Sequence, residues 1–413
     1  MDLLRFITAG SVDDGKSTLI GRLLYDSKAV MTDHLAAIKK QTKNKVSGEI
    51  DLALLTDGLR AEREQGITID VAYKYFATPV RKFIIADAPG HIQYTRNMIT
   101  GASTADLVIV LVDARNGVTE QTKRHSIIAS LLNIQHVVVA VNKMDLVNHS
   151  EETYNQIVDD YASFSNSLGL PSVHYIPISA ISGDNIVEKS ENFKWYRGPS
   201  LLNFLETVEV TLCDSTSEVR FPVQYVIRPQ TAALHDYRGY AGKLVTGSLS
   251  KGDEVKILPA GLTSVISTVE ISGNEVESAT APQAIVVQLE DDIDVSRGDT
   301  IVKLGNEPSV LNEFDAMLCW MDTEQLVTGN SYLFQIHGKR IRAIVKSIQY
   351  KLNINTLEEE KIQGGVGLNE IVRATIKTSS PVVFDAFEKF PAAGCAILID
   401  ETSNLTVGAC MLM

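Results

Sequence analysis

The chain lacks any apolar run of the roughly 18 or more residues that a membrane-spanning helix needs, and its longest runs, such as Leu107–Val112, are strand-sized. Its four cysteines, Cys213, Cys319, Cys395 and Cys410, form no C-x-x-C pair and no cysteine–histidine cluster. That spacing supports neither a structural zinc nor a disulfide framework. It points instead to small buried hydrophobes in a reducing compartment. Positive charge is scarce: 38 Lys and Arg stand against 51 Asp and Glu, a net charge of −13. This weighs against a main task of gripping a polyanion, so neither a membrane nor a nucleic acid is the expected partner. No low-complexity tract and no solenoid period occurs.

What is present is a soluble globular composition, 45% hydrophobic and 22% charged, over 413 residues. That length exceeds one ordinary core and suggests two or three domains. Up to about residue 210, short apolar runs (Leu4–Ala9, Phe83–Ala86, Leu107–Asp113, Val137–Asn142, Val173–Ser179) alternate with helix-like segments at 95–104, 119–132 and 151–168. Alternation of this kind predicts a mostly parallel sheet covered on both faces. Continuous β-branched runs are what buried parallel strands require. Thr68–Phe76 differs, because Ile69, Val71, Tyr73 and Tyr75 alternate with other residues, which suits an antiparallel edge strand.

After Cys213 the polar stretch Asp214–Glu218 reads as a linker. Beyond it, short β-rich runs (Phe221–Val226, Ala241–Val245, Glu254–Leu258, Ser264–Ile271, Ala284–Leu289) are broken by turn signals about every ten residues, the look of a small barrel. A second β segment runs from roughly 310 to the end, with Asp315–Trp320, Ser331–Ile336, Arg340–Lys346 and Glu370–Thr378. The expected fold is therefore an α/β domain (1–213) followed by two all-β barrels (214–308 and 309–413).

Gly10-Ser11-Val12-Asp13-Asp14-Gly15-Lys16-Ser17 matches G-x-x-x-x-G-K-[ST] without a gap, after a predicted strand and opening a predicted helix. Its glycines let successive backbone N–H groups curl inward as an anion nest, continued by Thr18 at the start of the helix. Lys16 reaches toward β- and γ-phosphates, and the Ser17 hydroxyl suits Mg²⁺. Asp87-Ala88-Pro89-Gly90 ends the strand Phe83–Ala86. A carboxylate there can hold the metal through its water shell, and Gly90 lets the backbone approach the terminal phosphate. Taken alone, D-x-P-G is only a turn; after a phosphate loop it becomes a site.

Asn142-Lys143-Met144-Asp145 closes the strand Val137–Val141. The Asp145 carboxylate can accept from guanine N1–H and its 2-amino group, Lys143 can lie over the base, and Ser179-Ala180-Ile181 offers a backbone N–H to guanine O6. Thr68, in Gln65–Asp70, is expected to complete the Mg²⁺ shell only when a γ-phosphate is present, an ordering element of a switch. His91, directly after Gly90, is placed to orient the attacking water. Lys16, Thr68 and His91 are the expected catalytic residues, Ser17, Thr68 and Asp87 the metal ligands, and GTP or GDP with Mg²⁺ the ligands. Met1–Ile7 looks faintly like a leader, but a phosphate loop starting at Gly10 leaves no room for a removable signal, so a cytoplasmic location is expected.

These motifs resemble those of the translational GTPase superfamily, whose members carry a G domain followed by two β-barrels. By that resemblance His91 occupies the catalytic histidine position. The long interval from Ser17 to Thr68, with its charged segment Asp57–Gln65 (DGLRAEREQ), is more similar to elongation factor 1-alpha than to elongation factor Tu. A closer resemblance is to the large GTP-binding subunit of bacterial sulfate adenylyltransferase. It is carried by Gly10–Leu24 (GSVDDGKSTLIGRLL), with Asp14 where elongation factors usually have histidine, by Ala61–Tyr73 (AEREQGITIDVAY), Gly90–Met98 (GHIQYTRNM), Gly198–Leu202 (GPSLL), Phe221–Val226 (FPVQYV) and Tyr237–Gly242 (YRGYAG). Ala88 departs from the usual threonine, keeping the backbone turn, and Ile92 from a frequent glutamate.

That resemblance implies a heterodimer with a smaller catalytic subunit on which ATP and sulfate react to give adenylyl sulfate and pyrophosphate. GTP hydrolysis on this chain would drive that uphill step. H-x-G-H and S-G-G-x-D-S signatures are absent, which places adenylyl transfer on another chain, and the lack of a second P-loop argues against a fused adenylyl-sulfate kinase in a chain of this length. The alternative is an elongation-factor-like carrier of aminoacyl-tRNA or a release factor. Its best support is Lys339-Arg340-Ile341-Arg342, continuing to Lys346 and Lys351, where alternation with Ala343 and Val345 also fits a strand with one solvated face.

Overall fold

The computed structural model describes residues 2–28, 52, 70–90, 95–170, 172–210, 218–229, 237–353, 356, 358–362 and 364–413, with the side chains of residues 95 and 96 left aside. Thr68, His91, Ile92, Cys213 and the segment 57–65 lie outside the described residues. The chain divides into two compact units, Met1–Val210 with Ile354–Leu357, and Thr211–Asn353 with Glu358–Met413.

The first unit holds strands β1 (Leu3–Ala9), β2 (Ala72–Ala77), β3 (Lys82–Asp87), β4 (Leu107–Asp113), β5 (His136–Asn142) and β6 (Val173–Pro177). They form one sheet in the order β2-β3-β1-β4-β5-β6, parallel throughout except for β2. Its helices are α1 (Lys16–Asp26), α2 (Thr95–Ala102), α3 (Glu120–Leu131), α4 (Glu151–Leu168) and α5 (Leu201–Thr207). All seven residues of β4 are buried, as a strand covered on both faces requires. Alternate residues on one face (Leu4, Phe6, Phe83, Ile85, Leu107, Ile109, Leu111) share a core with Leu19, Ile20 and Leu23 of α1 and Leu201 and Leu205 of α5. The opposite set, including Ile7, Val108, Val110, Val137 and Val139, is equally enclosed.

Helix starts follow from local chemistry. Thr119 caps α3 in a reciprocal capping box with Thr122, and Ser150 caps α4, which ends at Gly169 with φ 62°. β2 is the antiparallel edge strand that its alternation predicts, but Tyr73 and Tyr75 point to solvent while Phe76 stacks on Phe83 at 4.5 Å. An edge strand has one covered face, and here the aromatic stripe takes the other.

The second unit contains two closed barrels. The first is built from β7 (Phe221–Ile227), β8 (Gly239–Lys243), β9 (Ser248–Ser250), β10 (Glu254–Leu258), β11 (Leu262–Ile271), β12 (Asn274–Val276), β13 (Ser278–Thr280), β14 (Ala284–Leu289) and β15 (Thr300–Lys303). Pairing runs β10-β15-β7-β8-β14-β11 and back to β10, so no edge remains in that ring. The other barrel comprises β16 (Ser309–Trp320), β17 (Ser331–Ile336), β18 (Lys339–Leu352), β19 (Glu359–Glu360), β20 (Ile371–Phe384), β21 (Cys395–Ile399) and β22 (Thr406–Leu412), closed as β17-β21-β22-β16-β20-β18 with β18 returning to β17. The Arg220 guanidinium, next to β7, makes a bidentate pair with Asp385, just past β20, at 2.7 and 2.8 Å. Both side chains are enclosed. Leu258, Val302 and Val383 pack into one small apolar cluster.

On β18, Ala343 and Val345 face inward while Arg340, Arg342 and Lys346 are exposed. Arg342 pairs with Glu401 at 3.5 Å and Lys346 with Glu313, so this basic stretch is a solvated strand face balanced by carboxylates. Cys319 and Cys410 are buried as expected, whereas Cys395 is exposed on β21. Among the described residues no helix is long and apolar enough to cross a membrane.

Candidate nucleotide site at the carboxyl ends of the parallel strands

β1 lies between β3 and β4, and the chain moves outward from it in both directions. Where strand order reverses, the loops following neighbouring strands part and leave a crevice. The segments singled out in the sequence follow the strands on either side of it: residues 10–18 after β1, 87–90 at the end of β3, 142–145 after β5 and 179–181 after β6.

The loop after β1 needs its glycines. Gly15 sits at φ 93°, and a Cβ there would come within 2.6 Å of the Asn142 amide nitrogen. A Cβ at Gly90 would press on Lys16 Nζ and lie 2.6 Å from the Gly10 carbonyl oxygen, so the 87–90 turn packs directly on the phosphate loop. Asp13 also adopts a left-handed conformation, φ 69°, unusual for a residue with a side chain. Lys16, 6% exposed, donates to the carbonyls of Gly10 at 3.0 Å and Ser11 at 2.8 Å. Burial pulls its pKa below the usual lysine value, while the carboxylates of Asp87, Asp14 and Asp13 act the other way. The enclosed Asp14 carboxylate accepts from the Ser11 N–H at 2.5 Å; burial raises its pKa, against that hydrogen bond and the Lys16 charge.

Asp87 ends β3 in register with Thr8 of β1, whose hydroxyl donates to it at 3.3 Å. It is 2% exposed, and its charge acts on Lys16. Ser17 stands in the first turn of α1, half-buried. A hydroxyl and a carboxylate are hard oxygen donors of the type Mg²⁺ takes while keeping several waters, so the donors present fit that ion. No cluster of three or more His, Cys, Asp or Glu suited to a metal occurs among the described residues.

Asn142 joins two loops. Its amide donates to the Asp14 carbonyl at 2.7 Å, and its amide oxygen accepts from the Ala180 N–H at 2.9 Å. Lys143, in a left-handed conformation with φ 62°, donates to the Asp13 carbonyl and pairs with Asp113 at 2.9 Å. Ser179 donates to Asp145 at 2.6 Å. Ile181 and Val12 are exposed.

Three contributors escaped the sequence reading. Asp113, the acidic end of the buried strand β4, holds Lys143 and Arg115. Burial raises its pKa, but hydrogen bonds from Arg115 and Lys143 outweigh that and hold it far below the usual carboxylate range. An Asp terminating an all-apolar strand was the available signal. Arg22 of α1 donates to the carbonyls of Ala180, at 3.2 Å, and Ile181. Gln121 of α3 donates to the Gly90 carbonyl at 3.3 Å. Neither carried a local signal, because both act through contacts distant in sequence.

Residues 1–218 match the family described as Elongation factor Tu GTP binding domain, and residues 313–413 match GTP-eEF1A C-terminal domain-like. The chain is 52% identical, over its whole length, to the bifunctional enzyme CysN/CysC of Mycobacterium tuberculosis, spanning 67% of that protein. It is 51% identical to sulfate adenylyltransferase subunit 1 of Alteromonas mediterranea, spanning 87% of it, and 51% identical to the subunit of that name from Bacteroides fragilis, spanning 86%. Relatives this similar along the whole of the chain, with the match at residues 1–218, lead to one conclusion: it belongs to the sulfate adenylyltransferase subunit 1 family and opens with the GTP-binding domain of the elongation factor Tu type.

Proposed function

We propose that this chain is the GTP-hydrolysing subunit of a two-chain sulfate adenylyltransferase. GTP turnover here drives the formation of adenylyl sulfate from ATP and sulfate on a smaller catalytic partner. The observation that carries it is the pair of hydrogen bonds at Asn142, one donated to the Asp14 carbonyl and one accepted from the Ala180 N–H, which supports reading the loops after β1 and β6 as the two halves of a guanine nucleotide site. The whole-chain relatives favour this over an aminoacyl-tRNA carrier.

In this scheme Gly10 to Thr18 cradle the phosphates and Lys16 neutralises their charge. Asn142, Lys143 and Asp145, with Ser179 to Ile181, select guanine. Ser17, Thr68 and Asp87 hold Mg²⁺, which when bound offsets phosphate charge. Gly90 and its neighbour Pro89 meet the terminal phosphate, and His91 orients water. The proposed domain limits are 1–213, 214–308 and 309–413, and the proposed location is the cytoplasm. Energy can pass to the partner only if GTP and GDP stabilise different arrangements of this chain. A turn packed as tightly as Gly90 on Lys16 and Gly10 is suited to register the loss of a phosphate.

Purified alone, the chain should hydrolyse GTP slowly, and faster when the small subunit, ATP and sulfate are all added. Hydrolysis that stays constant while the assembled pair turns over sulfate would overturn the coupling.

A further inference from the structure

Gln121 and His125 lie one turn apart on α3 and have no part in the roles above. Gln121 Nε2 is 3.3 Å from the Gly90 carbonyl oxygen and 3.0 Å from His125 Nε2. A carbonyl oxygen only accepts, so the amide NH₂ must face Gly90. The same nitrogen then donates to the imidazole, which requires a bare Nε2 and the ring proton on Nδ1. His125 is 2% exposed, and burial, reinforced by the Lys16 and Arg124 charges, pushes its pKa down to about 3, so the ring is neutral at physiological pH. The amide oxygen of Gln121 sits 3.4 Å from Arg124 Nη1. A flipped amide would set oxygen against the Gly90 oxygen and nitrogen against a guanidinium. Three neighbours thus hold it one way round.

A Cβ on Gly90 would meet Lys16 Nζ and the Gly10 carbonyl, so even a methyl group has no room there. Gly90 thus packs on the loop after β1 and accepts a hydrogen bond from α3. His125 Nδ1 has no hydrogen-bond partner among the described residues, so its burial is not explained by a bond of its own on that side. Its polar contact is the one that aims Gln121.

We propose that Gln121, aimed by His125, is a positioning residue that orients the Gly90 peptide and thereby sets the chain's preference for a guanosine triphosphate over a diphosphate. This rests on the reading of Gly90 as the element that meets the terminal phosphate. Gln121→Met keeps the length and removes the donor; Gln121→Glu keeps the shape and puts an anion against the carbonyl. The experiment measures the affinity of the full chain for a fluorescent GDP and for a non-hydrolysable GTP analogue, with thermal midpoints alongside. One neutral hydrogen bond corresponds to a factor of about five. The analogue-to-GDP affinity ratio should fall about fivefold in Gln121→Met and further in Gln121→Glu, with thermal midpoints close to wild type. Because the two residues act in series, the Gln121→Met/His125→Asn double variant should show no larger fall in that ratio than Gln121→Met alone. A ratio equal to wild type in both Gln121 variants, or equal weakening of both nucleotides, overturns the proposal. Wild-type chain that binds neither nucleotide would instead overturn the guanine-nucleotide reading beneath it.

Discussion

Asn142 and Asp14, 128 residues apart in sequence, are joined by an amide-to-carbonyl hydrogen bond of 2.7 Å. With the other end of the same amide accepting from Ala180, one buried side chain holds the loops after β1 and β6 together. A buried polar group that loses its partner costs more than the bond itself contributes, because water does not replace the partner.

Asn142→Ala removes both bonds and strands the Ala180 N–H. At about 1 kcal/mol for each bond, guanine nucleotide affinity should fall roughly thirtyfold. Calorimetric titration with GDP checks this, and an unchanged affinity would show that the loops hold their places without the bridge.

Asp145→Asn exchanges an acceptor-only carboxylate for an amide that offers a donor. Preference should move from guanine toward xanthine nucleotides, measured as competing affinities of GDP and XDP. Ser179 keeps a partner at that position in either variant, since an amide oxygen can accept its hydroxyl.

Arg220→Met should destabilise the second unit strongly. It leaves the enclosed Asp385 carboxylate without its bidentate partner, a change that costs about 3–5 kcal/mol in comparable buried pairs. Arg220→Met combined with Asp385→Leu should recover much of that loss, because no unpaired charge then remains buried. Urea unfolding of the two variants against wild type measures both effects.

His125 gives a pH dependence of known sign. Its folded pKa, about 3, lies below the unfolded value of 6.5. Between those values the unfolded chain binds a proton that the folded chain does not, so stability falls as pH drops below 6.5. His125→Gln removes that component, up to about 1.4 kcal/mol per pH unit. Denaturation midpoints at pH 7 and pH 4.5 should therefore differ less in the variant than in wild type.

Legibility varied with the range of the physics involved. That Gly10 to Ser17, Asp87 to Gly90 and Asn142 to Asp145 stand at strand ends was readable because the signals are local: glycines at a tight turn, a carboxylate closing an apolar run, a helix start directly after the loop. The strand runs Leu107–Asp113, Glu254–Leu258, Ala284–Leu289 and Ser331–Ile336 match the observed elements to the residue, since hydrophobic pattern and turn residues agree there. The closing hairpin Cys395–Ile399 and Thr406–Leu412 falls in the β segment expected from roughly 310 to the end, but its two strands were not named, their short apolar runs being hard to separate from loop. The face of β2 was not readable either, because an alternating pattern does not say which side of an edge strand is covered.

Sequence alone determined the α/β-then-all-β order of the chain and which segments follow β1, β3, β5 and β6, because backbone preference and side-chain chemistry are written residue by residue. Only tertiary structure decided the rest: that Asn142 reaches both Asp14 and Ala180, that Asp113 captures Lys143, that Arg22 holds the loop after β6, and that Gln121 grips Gly90. Each of these is a hydrogen bond or ion pair between groups brought within about 3 Å by the packing of a parallel sheet. No local pattern encodes such a meeting; the register of the strands creates it.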